Sequence, residues 1–255
     1  MRLENRIAIV TGSTQGIGRE IAVQLAAERA IVIVVASNDV SRADAVVSDI
    51  RRAGGSAAGR VADVTKSADL NALVANVIAE FGRIDVLINS AGIFAPTPVG
   101  SASEEDVDRM IAVNLKGTFM AIDAVVPAMK QQRSGKIVSI ASVAGFMGIG
   151  SYAIYCATKA GVISMTRTLA CELAPHGINV NAVAPGNTAT PMNENLRTLP
   201  GFKPILTAMA ARTPSGNTFS SAEDMARMAV FLATNEARSM HGSTVLMDEG
   251  FSAGI

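Results

Sequence analysis

A tyrosine and a lysine stand four residues apart in Tyr155-Cys156-Ala157-Thr158-Lys159, thirteen residues after Ser142 in a loop of small side chains. On a helix, positions i and i+4 share a face, so the ammonium can sit beside the phenol and lower its pKa. A free phenol titrates near about 10, and a depression of two or three units requires roughly 3 to 4 kcal/mol of preferential stabilisation of the phenolate. Tyr155 tuned in this way would exchange protons near neutral pH. The pattern also arises by chance on amphipathic helices, so its meaning depends on its surroundings. Tyr152, the other tyrosine of the chain, lies seven residues before Lys159 on a similar face and reads as a pocket wall.

A second cluster follows the first apolar run, Ile7 to Val10. Thr11-Gly12-Ser13-Thr14-Gln15-Gly16-Ile17-Gly18 leads straight into a helical segment. Glycines there let backbone amides approach a pyrophosphate, and a helix N-terminus adds partial positive charge, so the turn reads as a dinucleotide site. An acid at the end of the second strand, roughly 18 to 20 residues beyond the last glycine, would bind the ribose 2′-hydroxyl of NAD and repel the 2′-phosphate of NADP. Ala36-Ser37-Asn38 stands there instead, with Arg19 or Arg42 to supply charge, and NADP is favoured. Asp39 nearby and the uncharged Gln15 argue for NAD.

These residues need a frame. Short β-branched runs alternate with helical periods, the signature of a parallel sheet covered on both faces. The strands read as Ile7 to Val10, Ile31 to Val35, Ala57 to Val61, Val86 to Ile88, Lys136 to Ile140, Ile178 to Val183 and Thr244 to Met247. The helices read as Ile17 to Arg29, Val40 to Ala53, Ala68 to Phe81, Glu104 to Gln132, Tyr152 to Ala174 and Ser221 to Leu232, the last opened by a Ser221/Asp224 capping box. The expected architecture is a single α/β domain of Rossmann type over residues 1–255: a doubly wound, seven-stranded parallel sheet with helices on both faces. Residues 186–220, with four prolines, read as a long irregular stretch serving as a lid or binding loop.

Composition narrows the function classes. The 255 residues are 49% hydrophobic and carry 22 basic against 22 acidic side chains, which gives no global field for nucleic acid or an anionic membrane. A small-molecule substrate fits better. The polar N-terminus shows no signal peptide, and no apolar segment reads as long enough to span a bilayer, so a cytoplasmic protein is expected. Cys156 and Cys171, on one helix, would lie about 22 Å apart and read as reduced packing residues. Neither His176 nor His241 has a companion at zinc-like spacing, and no metal is expected in the chemistry.

From about Leu3 to Gly250 the chain resembles the short-chain dehydrogenase/reductases of about 250 residues. The resemblance rests on Thr11 to Gly18, Asp63-Val64, Asn89-Ser90-Ala91-Gly92, Asn114 in Val-Asn-Leu-Lys-Gly, Ser142, Tyr155 with Lys159, and Pro185-Gly186 with Thr190 beyond. It implies a nicotinamide cofactor and a catalytic tetrad of Asn114, Ser142, Tyr155 and Lys159. Ser142 would orient the substrate oxygen and Tyr155 would give or take its proton. Lys159 would bond the nicotinamide ribose, and Asn114 would hold a water linking the lysine to solvent. The implied cofactor contacts are Gly12, Ser13, Thr14, Gln15, Gly16, Ile17, Gly18, Ser37, Asn38, Asp63, Val64, Asn89, Ala91, Gly92, Pro185, Gly186, Thr188 and Thr190. Asp63-Val64 resembles the adenine-contacting pair, and a homotetramer is implied.

The expected substrate walls are Phe94, Phe146, Met147, Tyr152, Met192, Leu196 and Phe202 beside Ser142. Being mainly apolar, they suit a hydrophobic or short-chain ketone or alcohol. The motif style, including Met147 to Gly150, is similar to 3-oxoacyl-carrier-protein reductases. Arg133 matches one of their carrier-docking basic residues, but Cys171 stands where an arginine is expected. Asp248-Glu249-Gly250 departs from the family's Asp-Gly-Gly. Three readings follow: an NADP-preferring reductase of 3-oxoacyl-thioester type, an NAD-dependent dehydrogenase of a sugar, polyol or hydroxy acid, and a non-catalytic nucleotide-sensing scaffold.

Overall fold

The first strand, β1 (Ile7–Thr11), is buried along its whole length. Its side chains point alternately to opposite faces, Ala8 and Val10 into one apolar cluster and Ile7 and Ile9 into another. Both faces must therefore be covered, as a parallel sheet demands. The computed structural model describes residues 2–253. In chain order after β1 come α1 (Gly16–Ala27), β2 (Ile31–Ala36), α2 (Val40–Arg52), β3 (Ser56–Val61), α3 (Ser67–Phe81) and β4 (Val86–Asn89). The second half runs α4 (Glu104–Ile111), α5 (Gly117–Gln132), β5 (Gly135–Ile140), α6 (Ala153–Leu173), β6 (Ile178–Pro185), α7 (Glu194–Thr198), α8 (Lys203–Arg212), α9 (Ala222–Ala233) and β7 (Thr244–Met247).

The sheet has seven strands in the order β3-β2-β1-β4-β5-β6-β7, every pair parallel. Helices α1, α2 and α9 bury their apolar stripes on one face, and α3, α5 and α6 on the other. Each fully buried Ile or Leu of these layers, such as Ile21, Ile33 and Leu87, contributes roughly 1.5 to 3 kcal/mol of burial free energy. β1 pairs with β2 on one side and with β4 on the other. The chain reverses its winding there, so a crevice must open at the C-terminal strand ends.

Two expectations need correction. The segment expected as one helix over 104–132 is broken by a π-helical turn at Ala112–Lys116. Asn114 turns inward there, accepting from the Ile93 N–H at 2.8 Å and donating to the Ile93 carbonyl at 2.9 Å. By length and composition alone, this 29-residue stretch is apolar enough to cross a membrane, contrary to the sequence reading. Its inward face packs in the core, with Ala121, Ile122, Val125 and Met129 buried in the cluster shared with α3 and α6.

The stretch 186–220 is the second. It holds α7, α8 and two short 3-10 turns, with Pro191, Pro200 and Pro204 in first turns. Proline starts helices as readily as it breaks them, because the first N–H groups have no intrahelical partner. No residue of α7 or α8 is buried. The excursion is closed at its base by a parallel bridge between Thr188 and Ser220. Beyond it, Ser221 caps α9 by accepting from the Asp224 N–H at 3.0 Å, and the Asp224 carboxylate accepts from the Ser221 hydroxyl at 2.6 Å, so only half of a true capping box forms.

Candidate active site

Tyr155 and Lys159 lie one turn apart on α6, with the Lys159 Nζ 5.7 Å from the centre of the Tyr155 ring. The lysine is buried and donates to the Ile140 carbonyl at the end of β5 at 2.8 Å. Ser142 follows that strand. Its hydroxyl accepts from the Ala144 N–H at 3.1 Å and starts a 3-10 turn, which brings Gly145 against the backbone of α6. A Cβ at Gly145 would lie 2.9 Å from the Lys159 carbonyl carbon, so the glycine lets the serine loop close on the lysine's helix. The Ser142 hydroxyl lies near enough to the Tyr155 phenol to act on its titration.

The electrostatics differ from the spacing argument. Burial pushes the Tyr155 phenol above its usual value, and the Ser142 hydroxyl only partly offsets this. Burial also lowers the Lys159 ammonium, to about 8. With Lys159 bonded to Ile140, desolvation sets the direction at both groups.

Asn114 sits behind the cleft wall. Beyond its two bonds to Ile93, its Nδ2 lies 3.4 Å from the Thr158 hydroxyl. A Cβ at Gly92 would come within 3.4 Å of Asn114 Oδ1 and 3.7 Å of Lys159 Nζ, so Gly92 brings the wall against both.

A cleft of about 660 Å³ runs along the C-terminal strand ends. Gly12, Thr14, Gln15, Gly16, Ile17 and Gly18 line it after β1, with Ser37, Asn38 and Arg42 after β2. Asp63 and Val64 follow β3, and Ala91 and Gly92 follow β4. Ser142, Tyr155 and Lys159 line the β5 side, and Pro185, Gly186, Thr188 and Thr190 the exit of β6.

Two expected cofactor residues fall elsewhere. Ser13 is fully buried, donating to the Val10 carbonyl at 2.7 Å and accepting from the Val35 N–H at 2.9 Å, so it pins β1 to β2. Asn89 is buried with its Nδ2 toward Ser139. Neither lines the cleft.

Of the expected substrate walls, Phe94, Met192 and Leu196 line it, while Phe146, Met147, Tyr152 and Phe202 do not. Phe146 ends the turn after Ser142 and is 44% exposed, leaving Val143 and Ile149 as that loop's lining residues. Phe202 lies in the 3-10 turn that leads into α8, off the cleft. Tyr152 backs the wall instead. Its ring stacks on Phe94 at 4.3 Å, and Phe94 meets Tyr155 edge-on at 4.7 Å.

Sequence reasoning missed Ser90, Ile93, Arg109 and Asn187 in the lining. Arg109 was within reach, because it lies four residues before Val113 and so on the same helical face, and Val113 also lines the cleft.

The cleft fits a dinucleotide. Gly12 has φ +64°, and a Cβ there would lie 2.6 Å from Ala91 Cα, so only glycine permits this approach. α1 opens on the cleft with no side-chain cap and no acid in its first turn, leaving its N–H groups to an anion. A model of the family described as short chain dehydrogenase matches residues 6–200.

The chain belongs to the short-chain dehydrogenase family. It is 39% identical over 246 residues to a 3-oxoacyl-[acyl-carrier-protein] reductase of Staphylococcus epidermidis, covering 96% of this chain and 98% of that one. To the reductase of the same name in Thermotoga maritima it is 40% identical over 252 residues, covering 98% and 99%. Its structure is similar to that of a gluconate 5-dehydrogenase from Burkholderia cenocepacia in complex with NADP and tartrate, with TM-score 0.94, 31% identity and coverage of 100% and 98%. This short-chain dehydrogenase is thus an oxidoreductase acting between CH–OH and C=O with a nicotinamide dinucleotide.

Proposed function

We propose that this short-chain dehydrogenase is an NADP(H)-preferring carbonyl reductase whose substrates are of 3-oxoacyl-thioester type. The observation that carries the nucleotide preference is the end of β2. Ser37, Asn38 and Arg42 face the cleft, and Arg42 donates to Gln15 Oε1 at 3.0 Å. The acid that follows β2, Asp39, caps α2 by accepting from the Ser41 N–H at 2.9 Å, and it does not line the cleft. A phosphate on the adenosine ribose would therefore meet a guanidinium and not a carboxylate.

The dinucleotide, when bound, supplies the hydride. Ser142 holds the substrate oxygen beside Tyr155, and the phenol donates its proton as that oxygen gains charge. A phenol raised by burial is protonated at neutral pH, the form that reduction requires. Lys159 is the positive charge available to stabilise the phenolate that remains. Asn114, through Ile93 and Gly92, holds the wall beside the lysine, and any water it holds would be bound there. Phe94, Ile149, Met192 and Leu196 form an apolar wall for an acyl chain.

The relatives named as 3-oxoacyl-carrier-protein reductases support the thioester class. Carrier docking has less support, since Arg133 donates to the Pro175 carbonyl at 3.3 Å and Cys171 is exposed where an arginine is expected. A second reading, oxidation of a sugar acid or polyol, is supported by the likeness to the gluconate dehydrogenase. The excursion 186–220 serves as the lid in either case. Ile111 and Phe119, both about two-fifths exposed, lie on α4 and α5 and support a homotetramer, and the reading is of a cytoplasmic enzyme.

Titrating NADPH and NADH against wild type and Arg42→Ala tests the preference. Wild type should bind NADPH more tightly, and the variant should lose about ten-fold for NADPH while changing less than about two-fold for NADH. Equal affinities in wild type would remove the NADP assignment.

A further inference from the structure

The triplet Asp248-Glu249-Gly250 at the end of β7 places a side chain where the family pattern has glycine. Glu249 has φ +59°, in the left-handed region that an L side chain enters only under constraint. The constraint is visible. Glu249 Oε1 accepts from Asn217 Nδ2 at 3.1 Å and from the Ser220 hydroxyl at 3.0 Å, while the Glu249 carbonyl accepts from the Ser215 N–H at 3.3 Å. Bonds from the Ser215 and Ser220 side chains hold its carboxyl below the usual glutamate range, so it is ionised at neutral pH.

These partners are not scattered. Residues 215–220 form the returning limb of the excursion that begins at Gly186. Ser220, itself buried, donates its N–H to the Asn187 carbonyl at 2.9 Å and accepts from the Ala189 N–H at 3.0 Å. Asn187, Thr188 and Thr190 line the cleft. The outgoing limb is fixed to the same place: the Gly186 N–H donates to the Met247 carbonyl at 2.8 Å, and a Cβ on Gly186 would lie 2.7 Å from Asp248 Cα. Asp248 folds its own turn closed, accepting from the Gly250 N–H at 3.1 Å and the Ser252 N–H at 2.9 Å. One carboxylate therefore joins the end of β7 to the returning limb, and through Ser220 to the residues that face the cleft.

We propose that Glu249 is a positioning residue, a clasp that fixes the root of the 187–220 excursion and thereby the cleft edge formed by Asn187, Thr188 and Thr190. Its functional consequence rests on the dinucleotide reading of the cleft. The backbone bonds of Asn187 and Ala189 to Ser220 hold the two limbs together across an excursion with no buried helix, so few contacts resist opening there. A carboxylate anchoring Ser220 from the sheet side shifts that equilibrium toward the closed root. The clasp acts on binding and lid closure, since it touches none of Ser142, Tyr155 or Lys159.

Hydrogen exchange of the Ala189 and Ser220 amides tests this without substrate or nucleotide, and so independently of which nucleotide the enzyme takes. Glu249→Gly relieves the left-handed backbone and deletes the carboxylate together. If Glu249 were only a strained turn residue, that change would leave the two amides as protected as before or more so. The clasp predicts the opposite sign: about ten-fold faster exchange at Ala189 and Ser220, with the β1 amides of Ile9 and Val10 unchanged. Should Glu249→Gly loosen the whole sheet, Glu249→Gln keeps the shape and is judged by the same criterion, with a smaller acceleration expected. In turnover assays KM for the nucleotide should rise about five-fold while kcat changes less than two-fold. Unchanged or slower exchange at Ala189 and Ser220 in both variants would overturn the proposal. A failure to find turnover would bear on the proposed function and leave the exchange result standing.

Discussion

Lys159 makes this protein less stable than it could be, and the amount can be worked out. Burial lowers its pKa from 10.5 to about 8, a difference of about 2.5 units. At about 1.4 kcal/mol per unit, keeping the ammonium charged inside the fold costs about 3 kcal/mol at neutral pH. The sign follows from proton counts. Between pH 8 and 10.5 the unfolded chain holds more protons at this site than the folded one, so stability rises with pH across that window, and below about 8 the whole cost is present. Lys159→Met removes the charge and keeps an unbranched stem, but the Ile140 carbonyl loses its 2.8 Å donor. That loss costs about 1 kcal/mol, leaving a net gain of about 2 kcal/mol. In a chain of this size the melting temperature should rise by roughly 5 °C at pH 7, measured by calorimetry without nucleotide. At pH 10.5 the gain should vanish, leaving the variant slightly the less stable. Turnover should fall by about 100-fold or more, so stability and activity move in opposite directions. A lower melting temperature at pH 7, or an equal gain at both pH values, would refute the reasoning.

Two further substitutions probe the frame. Asp85 is 4% exposed, and burial works against its charge, but bonds from Arg83, the Ile7 N–H and Arg6 outweigh this and hold its carboxyl below the usual aspartate range. Its contribution is present above about pH 4 and is lost as pH falls through its depressed folded value, so Asp85→Asn should cost about 3 kcal/mol at pH 7 in urea melts and less in acid. Gly12→Ala should lower the urea midpoint by about 3 kcal/mol equivalent and abolish nucleotide binding by titration, because its Cβ would meet the backbone of Ala91 at 2.6 Å.

The parts of the molecule written in the sequence are those governed by local rules. The seven strands were legible because most are short β-branched runs, and the observed limits move by one residue, as with Thr11 and Asn89, or by two, at Pro185. The glycine turn was legible because only glycine tolerates its backbone. Long-range packing decided the rest. The wide turn at Asn114 forms because Ile93, twenty-one residues away, offers both an N–H and a carbonyl to one amide. The prolines of 186–220 read as breakers, yet Pro191, Pro200 and Pro204 occupy first turns. Ser13 belongs to the glycine motif by position, but its hydroxyl serves the β1–β2 pairing. Phe146 and Tyr152 were placed on the pocket by proximity to Ser142 and Tyr155, and the direction a loop side chain points is not set by spacing. The direction of the tyrosine's pKa was misread for a similar reason. Helical spacing puts the charge near the ring but does not report how deeply both are buried.

The central claim is that Tyr155 is the proton donor of an NADP(H)-dependent carbonyl reductase. The most direct test follows NADPH consumption by absorbance with a panel of 3-oxoacyl thioesters and ketones, for wild type and Tyr155→Phe, together with nucleotide affinity for both. The account predicts turnover in wild type that falls by about 100-fold or more in the variant, with NADPH binding changed less than about two-fold. Turnover that survives intact in Tyr155→Phe would contradict it.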